Sequence, residues 1–371
     1  MLYNLKVFRG LDLNSIIGQV YNHVLTQGQS SAPRGQEVLE APRPVVLDLG
    51  EDRSPWTLMP GRKLNPYFAI AEVIWILAGR KDVNFIAYYN KNMPQFSTNG
   101  VDFDGAYGDR LRNFPVYSQR EQGVYFSDDA RKVFDLDFID QIALVCHRLR
   151  QDPSSRQAVM SLWDPARDLK EGSKDYPCNN LCYFTLRNGS LDMSVIRRSN
   201  DMIWGLPYNQ IQFYFIHALI AGELDAKVGR YTEFVQNMHV YTQNYPQIFE
   251  HVKSRIAEFG DEYLTEPDVR ENPDMRITLS QFETFKGMFF ELETDWRCMY
   301  PVLKSSHVKV VAERMEAQGV PEFWARTMLY VPLAYIAKKR KNVELHDFLL
   351  SQIDYQVLWM VVDHNGFKEK I

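Results

Sequence analysis

Between residues 65 and 80 the chain reads NPYFAIAEVIWILAGR, and Phe68, Ala71, Ile74, Trp75 and Ala78 fall at helical spacing. That period predicts a buried helix, with Asn65 suited to cap it and Gly79 to stop it. One carboxylate, Glu72, interrupts the apolar run. The same spacing predicts helices at 137–153 (DFIDQIALVCHRLRQDP) and 208–224 (YNQIQFYFIHALIAGEL). Extended segments alternate with them. They are PVVLDL, set between loops rich in Gly, Pro, Arg and Ser over residues 28–65, then RQAVMSLWDP, then NLCYFTLRNGSLDMSVIRRS with a turn at RNGS, then GRYTEFVQNMHVY.

Past residue 250 the texture changes. SQFETFKGMFFELETDWR, HVKVVAERMEAQ, PEFWARTMLYVPLAYIAKKRK and ELHDFLLSQIDYQVLWMVVDH are all helix-compatible, separated by Pro, Gly and Asn signals. There is no internal repeat or low-complexity stretch. The expectation is an α+β fold, a mixed sheet packed with helices over residues 1–264, followed by a helical C-terminal extension over 265–371. KKRK at 338–341 reads as the solvated end of a helix.

The chain has 371 residues, 45% of them apolar, which is enough for a large core. A net charge of −5 and a pI near 6.0 give no case for a nucleic-acid or membrane partner, though a few local arginines can still hold a small anion. The four cysteines (Cys146, Cys178, Cys182, Cys298) have no zinc-knuckle spacing, so no metal site is expected. With no long apolar segment at its start, the chain is expected in the cytoplasm, that of the host if it is viral. The NGS at 188–190 reads as a turn between strands rather than a glycosylation site.

Candidate chemistry gathers in YPCNNLCYF (176–184) and RRSNDMIWGLPYN (197–209). A nucleophilic cysteine needs partial exposure and nearby positive charge. Cys178 follows a proline at the mouth of a predicted strand, with Arg197 and Arg198 on the next one, whereas Cys146 and Cys182 sit inside apolar patterns as small core residues. Arg198 and Ser199 offer the fork and hydroxyl that suit a phosphate. Asn209, near the expected start of the following helix, has an amide that can present both a donor and an acceptor to a heterocycle.

Together these motifs resemble thymidylate synthase and its pyrimidine hydroxymethylase relatives. The spacing from Cys178 through RSND and GLPYN to HVY at 239–241 matches that family, as do AEVIWILAG, DGAYGDRLR and DPSSRQ upstream. The resemblance covers about residues 30–250. It implies that Cys178 adds to C6 of the pyrimidine and makes C5 nucleophilic toward a one-carbon unit from 5,10-methylenetetrahydrofolate. It further implies that Glu72 polarises the ring and moves protons through ordered water, that Tyr107 supports proton removal from C5, and that Asn209 reads the base. His239 and Tyr241 would hold the sugar. Arg198, Ser199 and Arg156 would hold the phosphate, Arg156 from across a homodimer interface. Arg34 or Arg43 would clamp that phosphate, with Arg34 in APRGQ the better placed. Asp201 and Gly205 fall on folate-side positions.

Four features depart from the family pattern. Asn179 follows the cysteine where histidine is usual, and Gln157 replaces a second intersubunit arginine. NKNMPQFSTNG (90–100) has no tryptophan, and the chain ends in the helical extension and NGFKEKI rather than in the family's folate-covering tail. The last two make water a better competitor with hydride for the exocyclic methylene formed at C5. RSND also resembles phage deoxycytidylate hydroxymethylase, but Asn209 suits the O4 and N3–H of uracil, where a carboxylate would suit the amino group of cytosine. The expected substrate is therefore dUMP and the expected product hydroxymethylated, ahead of reductive methylation to dTMP and of action on dCMP. A non-catalytic nucleotide-binding protein is a further alternative, opposed by the joint presence of Cys178, Glu72, Asn209 and Tyr241.

Overall fold

The computed structural model describes residues 5–116, 138–169, 171–261, 272–298 and 304–366. The extended segments form a six-stranded sheet in the order Lys6–Gly10, Val45–Leu49, Lys227–Val235, Ser190–Arg197, Asn179–Arg187, Val159–Ser161. Two of its pairings are parallel and three antiparallel, so the sheet is mixed. The RNGS turn folds as read: Asn188 and Gly189 both take positive φ, 51° and 75°, which a two-residue hairpin with the right-handed strand twist requires. RQAVMSLWDP is strand only over Val159–Ser161, and its end turns into the short helix Pro165–Asp168, which Asp164 caps.

GRYTEFVQNMHVY is not one strand. Lys227–Val235 stays in the large sheet, and Met238–Tyr241 leaves for a second sheet ordered Asn200–Asp201, Met238–Tyr241, Val38–Glu40, Gln29–Ser31. Alternation announces a strand but does not name its neighbours. Here Gln236 N still donates to Arg197 O, while Asn200 N already donates to Asn237 O. The transfer puts Asp201 in register with His239, and His239 with Glu40.

Two helices carry the site. Pro66–Leu77 begins where predicted, with Asn65 Oδ1 accepting from Phe68 N at 3.1 Å, and the chain turns away at Gly79 with φ 72°. The second helix starts at Gly205, three residues before its expected start, and runs to Glu223. The Asp201 carboxylate accepts from the amides of Ile203, Trp204 and Gly205, which draws GLPY into the first turn and sets Asn209 one turn inside. It is buried continuously from Leu206 to Ala221, as a helix apolar on every side must be. The helix predicted at 137–153 is Gln141–Gln151, capped by Asp140.

The C-terminal region folds as helices Leu279–Cys298, Ser305–Ala317, Leu329–Lys339, Val343–Leu350 and Tyr355–Asn365. Two predicted long helices are broken. A π-helical turn at Trp324–Met328 precedes Leu329–Lys339, where Pro332 withholds the amide that would close on Met328. The stretch 344–364 divides before Asp354, whose Oδ1 accepts from Gln356 N and Val357 N and starts a new helix. Leu329–Lys339 and Tyr355–Asn365 pack over Pro66–Leu77, and all five share one continuous apolar core with the sheet. The expected boundary at 264/265 lies outside the described residues, as does most of NGFKEKI. At KKRK the helix ends exposed, and Lys339 Nζ donates to Tyr88 O at 2.7 Å. Among the described residues no helix is long and apolar enough to cross a membrane, and no cluster of His, Cys, Asp or Glu could hold a metal ion.

Candidate active site

Cys178 sits immediately before the strand Asn179–Arg187, and its carbonyl accepts at 3.0 Å from Arg198 N, just past the neighbouring strand Ser190–Arg197. Strand alternation then separates the two arginines. Arg198 turns back over the cysteine loop, donating to Pro177 O (2.9 Å) and Tyr176 O (3.0 Å) with Nη2 3.6 Å from Cys178 Sγ. Arg197 points inward, fully buried, 2.7 Å from Glu233 and donating to the Tyr231 hydroxyl at 3.0 Å. The expected activating pair is thus one arginine beside the sulfur and one in the core. Burial pushes the Cys178 thiol up, and the Arg198 charge pulls it part of the way back. Cys146 and Cys182 are buried as expected, their thiols pushed up by burial to about 12.

A cavity of about 690 Å³ lies over the cysteine and is lined by Arg34, Cys178, Arg198, Ser199, His239 and Tyr241, with Asp201, Gly205, Asn209 and Tyr107 deeper in. Ser199 Oγ is 3.4 Å from His239 Nδ1, a contact set by the short parallel pairing of Asn200–Asp201 with Met238–Tyr241. Arg34 reaches this cavity from the turn Pro33–Gly35 with φ 53°, the left-handed region that non-glycine residues seldom adopt. Arg43 is exposed and off the cavity wall. Arg156 is also exposed and off the wall, just ahead of the edge strand Val159–Ser161.

A second cavity, about 460 Å³, adjoins the first and shares Tyr107, Gly205 and Asn209 with it. Glu72 is on its wall, where its Oε2 accepts from Gln212 Nε2 at 2.6 Å. Burial raises the Glu72 carboxyl to about 7, and the Gln212 bond opposes that rise. The Tyr107 hydroxyl is pushed well above its ordinary range, by burial first and then by the neighbouring cysteine. Phe68, Trp75, Phe96, Phe103, Trp204 and Tyr208 make the rest of the wall largely aromatic, and Lys63 and His364 complete it. Segment 90–100 indeed brings no indole, only Met93 and Phe96 among its apolar residues, but Trp75 and Trp204 bring two from elsewhere.

The structure therefore assembles every expected site residue around the two cavities except Arg156. Sequence reasoning missed Gln212, Asp175, Lys63, Trp204, His364 and Asn200 on the walls, and Glu233 behind them. Gln212 had a visible signal, since it lies three residues after Asn209 and so on the same helix face. His364 had none, because only tertiary packing brings the last helix to this wall.

A mixed sheet that sets a partly exposed cysteine on the wall of one cavity, beside a second, aromatic one, fits a one-carbon transferase. Residues 18–290 match the family model described as thymidylate synthase, and the chain belongs to that family. Its members act on a pyrimidine nucleotide with a folate-derived one-carbon donor. The chain is 33% identical over 360 residues, 89% of its length and 91% of the relative's, to a deoxyuridylate hydroxymethyltransferase of Bacillus phage SP01. It is 28% identical over 272 residues, 73% of the chain and 69% of the relative, to an enzyme of the same name from Pseudomonas phage M6. A third of that name, from Delftia phage PhiW-14, is 26% identical over 211 residues, 54% of the chain and 52% of the relative.

Proposed function

We propose that this enzyme hydroxymethylates dUMP at C5, with Cys178 as the nucleophile that adds to C6. The overall change balances without oxidation: dUMP, 5,10-methylenetetrahydrofolate and water give 5-hydroxymethyl-dUMP and tetrahydrofolate. Arg198, Ser199 and Arg34 hold the phosphate, His239 and Tyr241 the sugar, and Asn209 the base. Tyr107, its hydroxyl kept protonated by burial, supports removal of the C5 proton through hydrogen bonding rather than as the base. The aromatic cavity suits a folate, since Phe68, Trp75, Trp204 and Tyr208 offer flat apolar walls and Lys63 an anion partner. Bound there, the folate supplies a carbon at the oxidation level of formaldehyde.

The observation that carries hydroxymethylation over methylation is the Glu72–Gln212 pair on the wall of the second cavity. Gln212 Oε1 is buried with no partner among the described residues, and Glu72 can take or give a proton near neutral pH. An acceptor and a proton carrier side by side suit a water held for attack on the C5 methylene. The name shared by the three phage relatives supports the same product.

The test follows dihydrofolate absorbance and nucleotide mass together. The expected result is a nucleotide heavier by one CH₂O unit with no dihydrofolate. Stoichiometric dihydrofolate with dTMP would overturn this reading and make the enzyme a divergent thymidylate synthase.

A further inference from the structure

A buried polar relay runs from Glu233, behind the wall of the first cavity, to Asn200 and Asn209 on that wall. Glu233 is fully buried in the strand Lys227–Val235, ion-paired with Arg197 at 2.7 Å, and its Oε2 accepts from the Tyr231 hydroxyl (2.8 Å) and from Gln210 Nε2 (3.0 Å). Its Oε1 accepts from Asn200 Nδ2 at 2.8 Å, and Asn200 Oδ1 in turn accepts from Asn209 Nδ2 at 3.2 Å. Asn200 is 2% exposed and Asn209 7%, so the two amides depend mainly on each other and on Glu233 for hydrogen bonds.

We propose that Glu233 and Asn200 are positioning residues that set the base selectivity of this enzyme by locking the orientation of the Asn209 amide. A carboxylate only accepts hydrogen bonds, so Asn200 must give it the NH₂ group. Asn200 then offers its carbonyl to Asn209, which must answer with its own NH₂. The Asn209 carbonyl, with the remaining N–H, is left to the ligand. That pattern matches uracil, whose N3–H donates and whose O4 accepts. Cytosine, with an accepting N3 and a donating amino group, needs the amide reversed. Reversing Asn209 alone sets its carbonyl against that of Asn200, and reversing both sets a carbonyl against Glu233.

Gly205 supports the same relay. A Cβ there would lie 2.6 Å from Asn200 Oδ1, so only glycine leaves the Asn200 carbonyl in place. Glu233 lines neither cavity, and Asn200 meets the wall of the first beside Asn209. Their effect is transmitted through Asn209.

The inference rests on the reading of Asn209 as the residue facing a uracil base. The experiment measures kcat/KM for dUMP and for dCMP with methylenetetrahydrofolate, and the affinity of each nucleotide alone by calorimetry, for the wild type, Asn200→Ser and Glu233→Gln. A serine hydroxyl donates or accepts equally and imposes no orientation, while Glu233 keeps Arg197, Tyr231 and Gln210. Asn200→Ser is expected to lower the dUMP-to-dCMP ratio by about tenfold or more, the size of one mismatched buried polar pair. Glu233→Gln should move the ratio in the same direction, because a terminal amide can donate to a reversed Asn200. A general structural role would weaken both nucleotides alike and leave the ratio unchanged. Asn200→Ser decides alone if the loss of charge beside Arg197 prevents Glu233→Gln from folding. A wild type that prefers dUMP, with an Asn200→Ser ratio unchanged, overturns the relay and leaves the dUMP reading standing. A wild type that prefers dCMP overturns both.

Discussion

Cys178 on the wall of the first cavity and Glu72 on the wall of the second have opposite needs. Burial raises the thiol, which as the proposed nucleophile must lose its proton to attack, and also raises the carboxyl to about 7, which keeps a proton available. Cys178→Ser should lower turnover by several orders of magnitude while leaving dUMP affinity within about threefold, whereas Cys182→Ser, in the core, should stay active. Calorimetry and steady-state rates on both variants check this. Glu72 also links the site to stability. Its folded pKa lies above the unfolded value of a carboxyl group, so the folded state holds the extra proton between about pH 4.5 and 7. The penalty of ionising it in place is absent below that window and complete above it, on the order of 3 kcal/mol. Glu72→Gln should therefore raise the melting temperature at pH 8, leave it nearly unchanged at pH 4.5, and remove the limb near pH 7 from the rate profile.

The helix Tyr355–Asn365 takes part in the site although it comes from beyond the family match. Asp363 accepts from the amides of Gly61 (2.6 Å) and Lys63 (2.7 Å), and His364 Nδ1 lies 3.2 Å from Lys63 O. Lys63 itself has φ 56°, so the turn that aims it at the cavity is held by this helix rather than by its own backbone preference. Asp363→Ala removes two charge-assisted bonds from that turn and should raise the KM for methylenetetrahydrofolate about fivefold or more, with the KM for dUMP little changed. Equal effects on both substrates would show that the helix only stabilises the fold.

At the scale of the molecule, Arg156 is the expected site residue left outside its own chain's cavities. It is exposed ahead of the edge strand Val159–Ser161, and Val159 (38%) and Tyr183 (37%), cross-strand partners there, are exposed apolar side chains. We propose a homodimer in which Arg156 completes the phosphate site of the partner. Mixing inactive Cys178→Ser with inactive Arg156→Ala chains should then restore about a quarter of wild-type activity, since random pairing forms mixed dimers half the time with one complete site each. Activity that stays at the level of the separate variants would put Arg156 outside the site.

Local pattern carried much of this molecule. The capped helix at Asn65, the RNGS hairpin and the spacing of Cys178, Arg198, Asn209, His239 and Tyr241 were legible, because a capping side chain, a left-handed turn and a motif each depend on residues near in sequence. What needed the tertiary structure depended on contacts distant along the chain. Arg197 and Arg198 look alike in sequence, and only the pleat and the buried Glu233, thirty-odd residues on, divide them into a core ion pair and a cavity wall. The break between Val235 and Met238 follows from which neighbours were available for pairing. Glu233 carries no motif and Asn200 was read only as part of RSND, so their bearing on Asn209 appears only when strand and helix meet, and His364 reaches the cavity only because the last helix packs back on the first turns of the site. Periodicity and motifs record local geometry and chemistry; the orientation of a buried amide is a property of the whole packed network.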